Sequence, residues 1–258
     1  MTAFDQIRLA DLAGRRILVT GGSTGIGAAV VLGFAAQGAQ VALHYNESHD
    51  AALAVQGQSP AQIVLVRGDM SVPGTAARVV QEAAERLGGL DGLVNNAGGM
   101  LGRVPTTVAS ADHFDRVFDL NARSVWEATV AAHPYLKASG AGFVVNTTSV
   151  AARNGGGGGA VLYAAAKAFV SSLTRGQAKE FVKDAIRVNA VAPGLVQTPF
   201  HDRYTPPDIM AAQRATIPMG REGTPEECVG AFLFLASAAM SGYITGQVIE
   251  VNGGQLMP

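Results

Sequence analysis

Short apolar runs rich in Val, Ile and Leu alternate with longer stretches of mixed polarity along the chain. The short runs predict seven strands, at residues 16–20, 41–45, 63–67, 92–95, 142–148, 187–191 and 248–251. Their apolar residues are continuous rather than alternating, which is typical of parallel strands that are covered on both faces. The longer stretches predict helices at 25–37, 48–56, 74–87, 111–138, 163–181 and 225–236. We therefore expect an α/β fold, a single doubly wound domain over residues 1–258 with a seven-stranded parallel sheet and helices on both faces.

One segment follows neither pattern. Residues 195–223 contain Pro199, Pro206, Pro207 and Pro218 and form the longest irregular stretch of the chain. A segment of that length inside a compact domain usually serves a function, often as a lid. We expect it to cover a substrate.

Composition excludes several classes of protein. Apolar residues make up 48% of the 258 residues and charged residues 15%, below the roughly 25% of an average soluble domain. A disordered chain would show low hydrophobicity and high net charge, so disorder is excluded. The net charge is −1 and the basic residues form no stripe or block. Neither nucleic acid nor a membrane surface is therefore an expected partner.

Cysteine and histidine usage bounds the chemistry. The single cysteine, Cys228, excludes an intramolecular disulfide framework and a zinc site built on cysteines. The five histidines show no ligand-like spacing, so we predict no metal site. The start of the chain carries Asp5, Arg8 and Asp11 and has no signal-like apolar segment. We expect a cytoplasmic protein.

A glycine-rich turn connects the first predicted strand to the first predicted helix, with the sequence Thr20-Gly-Gly-Ser-Thr-Gly-Ile-Gly27. Gly21, Gly25 and Gly27 permit a tight turn and allow the backbone to approach a pyrophosphate at the helix N-terminus. Such turns also occur for structural reasons alone, so this motif needs support from the rest of the chain.

Further motifs stand at the predicted strand ends and helix starts. In chain order they are Asn95-Asn-Ala-Gly98, Asn121, Ser149, Tyr163-Ala-Ala-Ala-Lys167 and Pro193-Gly194. Together with the glycine turn they resemble the short-chain dehydrogenase/reductase family, in order and spacing, over essentially the whole chain. The resemblance implies a Rossmann-type domain and an NAD(P)-dependent oxidoreductase that interconverts a carbonyl and a secondary alcohol. A non-catalytic NAD(P)-binding sensor is the alternative of another class, but it would have lost Tyr163 or Lys167.

The tyrosine and lysine of the last helical motif are the candidates for proton transfer. Tyr163 and Lys167 are four residues apart and so project from one helix face. A free tyrosine, with a pKa of about 10, exchanges protons poorly at neutral pH, and a nearby ammonium lowers that pKa. We therefore predict Tyr163 as general acid in reduction and general base in oxidation. From the resemblance, Ser149 orients the substrate oxygen, Lys167 also holds the nicotinamide ribose, and Asn121 steadies a water that leads to Lys167.

The resemblance also assigns cofactor contacts at the strand ends. These residues are Gly21, Ser23, Thr24, Gly25, Ile26, Gly27, Tyr45, Asn46, Asp69, Met70, Asn96, Ala97, Gly98, Tyr163, Lys167, Pro193, Gly194, Val196 and Thr198. Relatives that prefer NAD place an aspartate at the end of the second strand, where this chain has Tyr45. Relatives that prefer NADP often have a basic residue at the position of Asn46, although Glu47 would favour NAD. We expect NADP(H) to be preferred, with NAD(H) as the alternative.

The substrate is less well defined by the sequence. Stretches such as Thr198-Pro-Phe-His201 look like bacterial reductases that act on keto sugar acids. For a small keto or hydroxy substrate of this kind, the candidate partners of the carboxylate are Arg103, Arg153, His201 and Arg203. Solvated loop charges are the alternative interpretation of all four residues.

A 3-oxoacyl-acyl-carrier-protein reductase is the competing activity. An acidic carrier protein needs a basic docking patch, and Arg116 and Arg123 offer little of one.

The predicted helices at 111–138 and 163–181 carry more apolar residues than one buried face needs. Relatives use these two helices and the C-terminal strand to form dimers of dimers, so we expect a homotetramer.

Overall fold

A computed structural model describes residues 8–257. It contains seven strands, all parallel, in the order β3-β2-β1-β4-β5-β6-β7. Their bounds are β1 Arg16–Val19, β2 Gln40–Tyr45, β3 Ile63–Arg67, β4 Gly92–Asn95, β5 Gly142–Thr147, β6 Ile186–Pro193 and β7 Val248–Val251. The predicted seven-stranded parallel sheet is confirmed. The N-terminal stretch with Asp5, used above against a signal segment, lies largely outside the described residues.

Helices connect the strands. Their bounds are α1 Gly25–Ala36, α2 His49–Gln56, α3 Thr75–Leu87, α4 Ala111–Phe118, α5 Ser124–Ala138, α6 Ala151–Asn154, α7 Val161–Phe181, α8 Pro199–Tyr204, α9 Pro207–Arg214, α10 Pro225–Ala236 and α11 Ala238–Ser241. Across residues 8–257, none of these helices combines the length and apolarity needed to span a bilayer.

The helices form two layers with separate apolar cores. On one face of the sheet, α1, α2 and α10 bury side chains such as Phe34 and Phe232. A Cβ added at Gly33 of α1 would overlap Val229 of α10, so glycine permits the close contact of these two helices. On the other face, α3 and α5 bury residues such as Val80 and Leu136. Helices on both faces explain why the strands read as continuous apolar runs.

Two predicted segments differ from the structure. The helix predicted over 111–138 is divided into α4 and α5 by a π-helical turn at Asp119–Arg123. The side-chain amide of Asn121 donates to the carbonyl of Val117. In a regular α-helix this carbonyl would accept from the backbone N–H of Asn121 instead. The stretch 195–223 is not irregular throughout, because it contains α8 and α9. Pro199 and Pro207 stand at the starts of these helices, where their fixed φ and missing N–H are tolerated.

A buried polar network fixes the strand ends in the middle of the sheet. The Nδ2 of Asn95 donates to Thr129 Oγ1 at 3.0 Å and to Asn146 Oδ1 at 2.9 Å. Asn146 in turn donates to Thr174 Oγ1 at 2.9 Å. These bonds tie β4 and β5 to α5 and α7. The loops that follow β4 and β5 therefore leave the sheet from a rigid base.

Candidate active site

A cavity of about 910 Å³ opens along the carboxyl ends of the strands. It lies where the strand order reverses between β1 and β4, the usual place for a ligand in a doubly wound sheet. All residues to which we assigned cofactor contacts line this cavity except Val196. Val196 instead forms a β-bridge with Gly223 at the base of the 195–223 segment. The tertiary structure thus brings nearly the whole predicted set together.

The glycine turn forms one wall of the cavity. Gly21 has a φ of +64°, and a Cβ added at Gly27 would overlap the carbonyl oxygen of Gly21 and lie 2.5 Å from Asn96 Nδ2. Asn96 holds the turn through hydrogen bonds from its Nδ2 to the carbonyls of Thr20 (3.1 Å) and Gly21 (3.0 Å). The Thr24 hydroxyl makes no capping bond, so the first N–H groups of α1 remain available to an anion. The shape and donors of this wall fit a pyrophosphate.

Three predicted catalytic residues meet at the centre of the cavity. Ser149 follows β5, and its hydroxyl hydrogen-bonds to Tyr163 near the start of α7. The Nζ of Lys167 lies 5.8 Å from the centre of the Tyr163 ring. It donates to the carbonyl oxygen of Thr147 at 2.9 Å. A hydroxyl pair and an ammonium group therefore stand side by side in a buried position.

Burial shifts the pKa values of both Tyr163 and Lys167. It raises the pKa of Tyr163 to about 12, against the opposing effect of the Ser149 hydrogen bond. Burial also lowers the pKa of Lys167 to about 8. The geometry does not support the predicted lowering of the tyrosine pKa by Lys167, because loss of solvation outweighs the other effects here. At neutral pH the phenol keeps its proton, which suits a general acid.

Asn121 lies beside this group rather than on the cavity wall. Its side chain is fully buried and pairs with the backbone of Gly99, donating to the carbonyl at 2.8 Å and accepting from the N–H at 3.1 Å. A Cβ at Gly98 would lie 2.8 Å from Asn121 Oδ1 and 3.1 Å from Lys167 Nζ. Asn121 thus fixes the loop that passes over Lys167, while its role toward a water stays a prediction.

The end of the cavity near β2 carries the residues relevant to the cofactor's adenosine. The Tyr45 hydroxyl lies 2.7 Å from His49 Nδ1, and the Asp69 carboxylate accepts from the N–H and hydroxyl of Ser71. Arg67 donates through Nε to the backbone carbonyl of Asn46 at 3.1 Å. Arg67, which was not predicted from the sequence, stands at the end of β3 and lies beside the lining residue Asn46, outside the lining itself, because β2 and β3 pair in parallel.

The opposite end of the cavity is lined by the 195–223 segment. Arg103, His201 and Arg203 line it, as predicted for a substrate site. Arg103 donates to the carbonyls of Tyr204 (2.7 Å) and Gly158 (3.0 Å) and so ties three loops together. Its guanidinium is therefore already engaged with the backbone.

Arg153 does not join this group. It lies outside the cavity lining and forms an ion pair with Glu250 of β7, with Nε and Oε1 2.9 Å apart. Because the guanidinium is paired with the carboxylate of Glu250, the prediction that Arg153 contacts substrate is not supported. Phe200, whose ring centre lies 5.6 Å from that of Tyr163, was not predicted from the sequence.

Charge divides the two ends of the cavity. Three arginines line the substrate end or its rim, namely Arg103, Arg116 and Arg203. The two carboxylates among the lining residues, Glu47 and Asp69, both belong to the opposite end. Among residues 8–257, no group of histidine, cysteine and acidic side chains is arranged to hold a metal ion. The substrate end therefore favours an anion.

Comparison with known proteins agrees with this geometry. The family model described as Enoyl-(Acyl carrier protein) reductase matches residues 21–255. The chain is 36% identical over 245 residues to the 3-oxoacyl-[acyl-carrier-protein] reductase FabG of Thermotoga maritima, covering 94% of this chain and 98% of that protein. It is 41% identical to the solved NADH-dependent reductase A1-R′, responsible for alginate metabolism, in complex with NAD. That comparison has a TM-score of 0.86 and covers 97% of this chain and 100% of the other.

A second solved structure binds the other nicotinamide cofactor. A short chain dehydrogenase from Burkholderia cenocepacia J2315 in complex with NADP is 33% identical, with a TM-score of 0.88, covering 95% of this chain and 99% of that one. These proteins match almost the full chain in sequence and fold, and the cavity with its tyrosine, lysine and serine lies within the matched region. The chain therefore belongs to the short-chain dehydrogenase/reductase family and is an NAD(P)-dependent oxidoreductase.

Proposed function

We propose that this enzyme reduces the carbonyl of a small polar keto acid, such as a keto sugar acid, with Tyr163 as general acid and NADP(H) as preferred cofactor. The observation that carries the proposal is the Ser149–Tyr163 hydrogen bond beside Lys167, within a cavity whose substrate end is lined by arginines. The 41% identical reductase A1-R′ is described as acting in alginate metabolism, which supports a sugar-derived keto acid.

The chain's own residues account for binding and proton transfer. When bound, the nicotinamide supplies or accepts the hydride. The Ser149 and Tyr163 hydroxyls converge on one point, where they would both hold the substrate oxygen. Because the phenol is protonated at neutral pH, Tyr163 gives a proton to the oxygen as negative charge develops there. Lys167 would hold the ribose of the cofactor, as the family resemblance implies. The hydrogen bond from Ser149, which acts to lower the pKa of the phenol, would stabilise the tyrosinate that the step leaves behind.

The preference for NADP(H) rests on the end of the cavity near β2. Tyr45 lines this end and stands where an aspartate would repel a 2′-phosphate. Arg67 lies just outside the cavity lining, against the backbone of the lining residue Asn46. A guanidinium there would pair with a phosphate. Glu47 opposes this preference, and the A1-R′ structure with NAD shows that a relative uses the other cofactor.

A 3-oxoacyl-acyl-carrier-protein reductase remains the second candidate, supported by the match to FabG of Thermotoga maritima. Its carrier protein would need a basic surface at the cavity mouth. Arg116 lines the rim, but Arg123 is paired with Asp119. The small keto acid therefore fits the charge distribution better.

The first experiment is a parallel calorimetric titration with NADPH and NADH. We expect NADPH to bind about tenfold more tightly, and Arg67→Met to remove most of that difference while leaving NADH affinity unchanged. Equal affinity for both cofactors in the wild type would contradict the proposed preference. Binding of neither would contradict the assignment of the cavity.

The second experiment compares a keto sugar acid with its methyl ester, which has the same carbonyl but no charge. We expect kcat/KM to be at least tenfold higher for the acid, because the substrate end offers cationic partners and no carboxylate. Equal turnover of acid and ester would reject the carboxylate site. Turnover of 3-oxoacyl thioesters alone would favour the second candidate.

The proposal includes a homotetramer in the cytoplasm. Large apolar side chains on α5 and α7 are 42–49% exposed, among them Trp126, Val130 and Phe169. Burial of these faces against further copies of the chain would remove them from water. Light scattering at micromolar concentration should give about four times the mass of 26.5 kDa, and a monomer mass would refute the assembly. Fractionation of the source cell tests the location.

A further inference from the structure

A buried histidine lines the cofactor end of the cavity and has no role in the mechanism described above. His44 belongs to β2, immediately before Tyr45, and is 2% exposed. Its Nδ1 lies 3.1 Å from the N–H nitrogen of Gly21, and its Nε2 lies 2.9 Å from the carbonyl oxygen of Gly68. An N–H can only donate and a carbonyl can only accept. Both bonds therefore form only in the neutral ring that carries its proton on Nε2.

This ring joins two loops that the cofactor would contact together. Gly21 begins the glycine turn after β1, and Gly68 precedes Asp69 after β3. The backbone repeats the link, since Gly22 N–H donates to the carbonyl of His44 at 2.8 Å. The turn packs closely against the loop that follows β4, because a Cβ added at Gly21 would lie 2.9 Å from the Cα of Ala97. The histidine thus holds the glycine turn at Gly21, on the side of the turn that faces the cavity.

We propose that His44 is a positioning residue for the dinucleotide: its neutral ring holds Gly21 and the Asp69 loop at the spacing that the cofactor requires. This inference rests on the proposed placement of the cofactor at the glycine turn. His44 contacts no reacting atom, so it acts on cofactor affinity and leaves the chemical step unchanged.

The surroundings of the ring keep it neutral. Burial lowers the pKa of His44 to about 4, and the charge of Arg78 acts in the same direction. Asp69 and the Gly68 carbonyl oppose this effect without overcoming it. A protonated ring would direct a donor at the Gly21 N–H, which is itself a donor, and would break the link to the turn.

Two substitutions separate the two hydrogen bonds. In His44→Asn, the amide oxygen takes nearly the place of Nδ1 and still accepts from Gly21. In His44→Gln, the amide reaches the place of Nε2 and contacts Gly68, while Gly21 loses its acceptor. We expect His44→Gln to raise the Kd of NADPH and NADH about tenfold, the effect of one buried donor left unpaired, with kcat at saturating cofactor within twofold of wild type. His44→Asn should bind within about threefold of wild type.

Fluorescence titration gives the Kd values, and melting temperatures without cofactor report on folding. His133→Asn, which removes a histidine that pairs with Asp184 outside the cavity lining, is the matched control and should leave the Kd unchanged. Equal loss of affinity in both His44 variants, or a lower kcat with unchanged Kd, would overturn the inference. Failure of the wild type to bind either dinucleotide would instead refute the proposed cofactor site.

The wild type provides a measurement that needs no variant. Because the ring stays neutral well below pH 6.5, the Kd of NADH at pH 5.5 should be within twofold of its value at pH 7.5. A tenfold loss of affinity over that range in the wild type, absent from His44→Asn, would show that the ring is protonated as an exposed histidine would be. That result would reject the buried neutral bridge.

Discussion

Removal of the Tyr163 hydroxyl is the sharpest test of the catalytic site. Burial raises the pKa of this phenol to about 12, so at pH 7 essentially every molecule carries the proton that reduction requires. Tyr163→Phe removes that proton donor and leaves the ring in contact with Phe200. General acid catalysis contributes about 10²–10⁴ in rate, or roughly 2.7–5.5 kcal/mol of transition-state stabilisation. We expect kcat for carbonyl reduction to fall by this factor.

The structure also predicts what Tyr163→Phe leaves intact. Ser149 loses one partner but still accepts from the N–H of Ala151 at 3.1 Å, so stability should fall by only about 0.5–1.5 kcal/mol. The Lys167 ammonium keeps its bond to the Thr147 carbonyl. Cofactor Kd should therefore stay within about threefold of wild type, since one hydrogen bond is at stake.

The assay follows NADPH oxidation at saturating cofactor and substrate, with Tyr204→Phe as the matched control. Tyr204 lines the same cavity, and its ring contact with Phe200 survives the loss of the hydroxyl. Tyr204→Phe should stay within about threefold of the wild-type rate. If Tyr163→Phe kept more than a tenth of that rate, or if both variants fell alike, the assignment of Tyr163 as the acid would be refuted.

Three further predictions follow from the geometry. Burial lowers the pKa of Lys167 to about 8, so cofactor affinity should decline as the pH rises through 8 and the ammonium is lost; a flat titration from pH 7 to 9 would contradict its role. Gly27→Ala should abolish dinucleotide binding at millimolar concentration, because the added Cβ overlaps the Gly21 carbonyl, whereas Gly176→Ala on α7, with nothing within 4 Å, should bind normally in the same titration. The neutral His44 has a native pKa of about 4, below the 6.5 of the unfolded chain. The unfolded state therefore binds an extra proton as the pH falls below 6.5, which destabilises the fold. In denaturant titrations, the free energy of unfolding of the wild type should fall by about 2 kcal/mol more than that of His44→Asn between pH 7 and 5.

Much of the catalytic and cofactor site could be predicted because its parts are local. The glycine turn, the Tyr163–Lys167 spacing and Ser149 each depend on a few adjacent residues and on the strand or helix that holds them. The residues that were missed or misplaced depend on distant partners. Arg153 was expected in the cavity, but Glu250 lies close to it in space and far from it in sequence. Arg67 lies beside Asn46 only because β2 and β3 pair in one particular register.

The sequence by itself determined the order of strands and helices, the parallel sheet and the family, because hydrophobic periodicity and turn chemistry act over short stretches of chain. Tertiary structure decided which polar groups lose water and which partners they find. It set the protonated state of Tyr163, because burial outweighs its neighbours. It also engaged the Arg103 guanidinium with loop carbonyls and made His44 a neutral bridge between two loops. Desolvation depends on atoms brought together from the whole chain, and no local pattern encodes it.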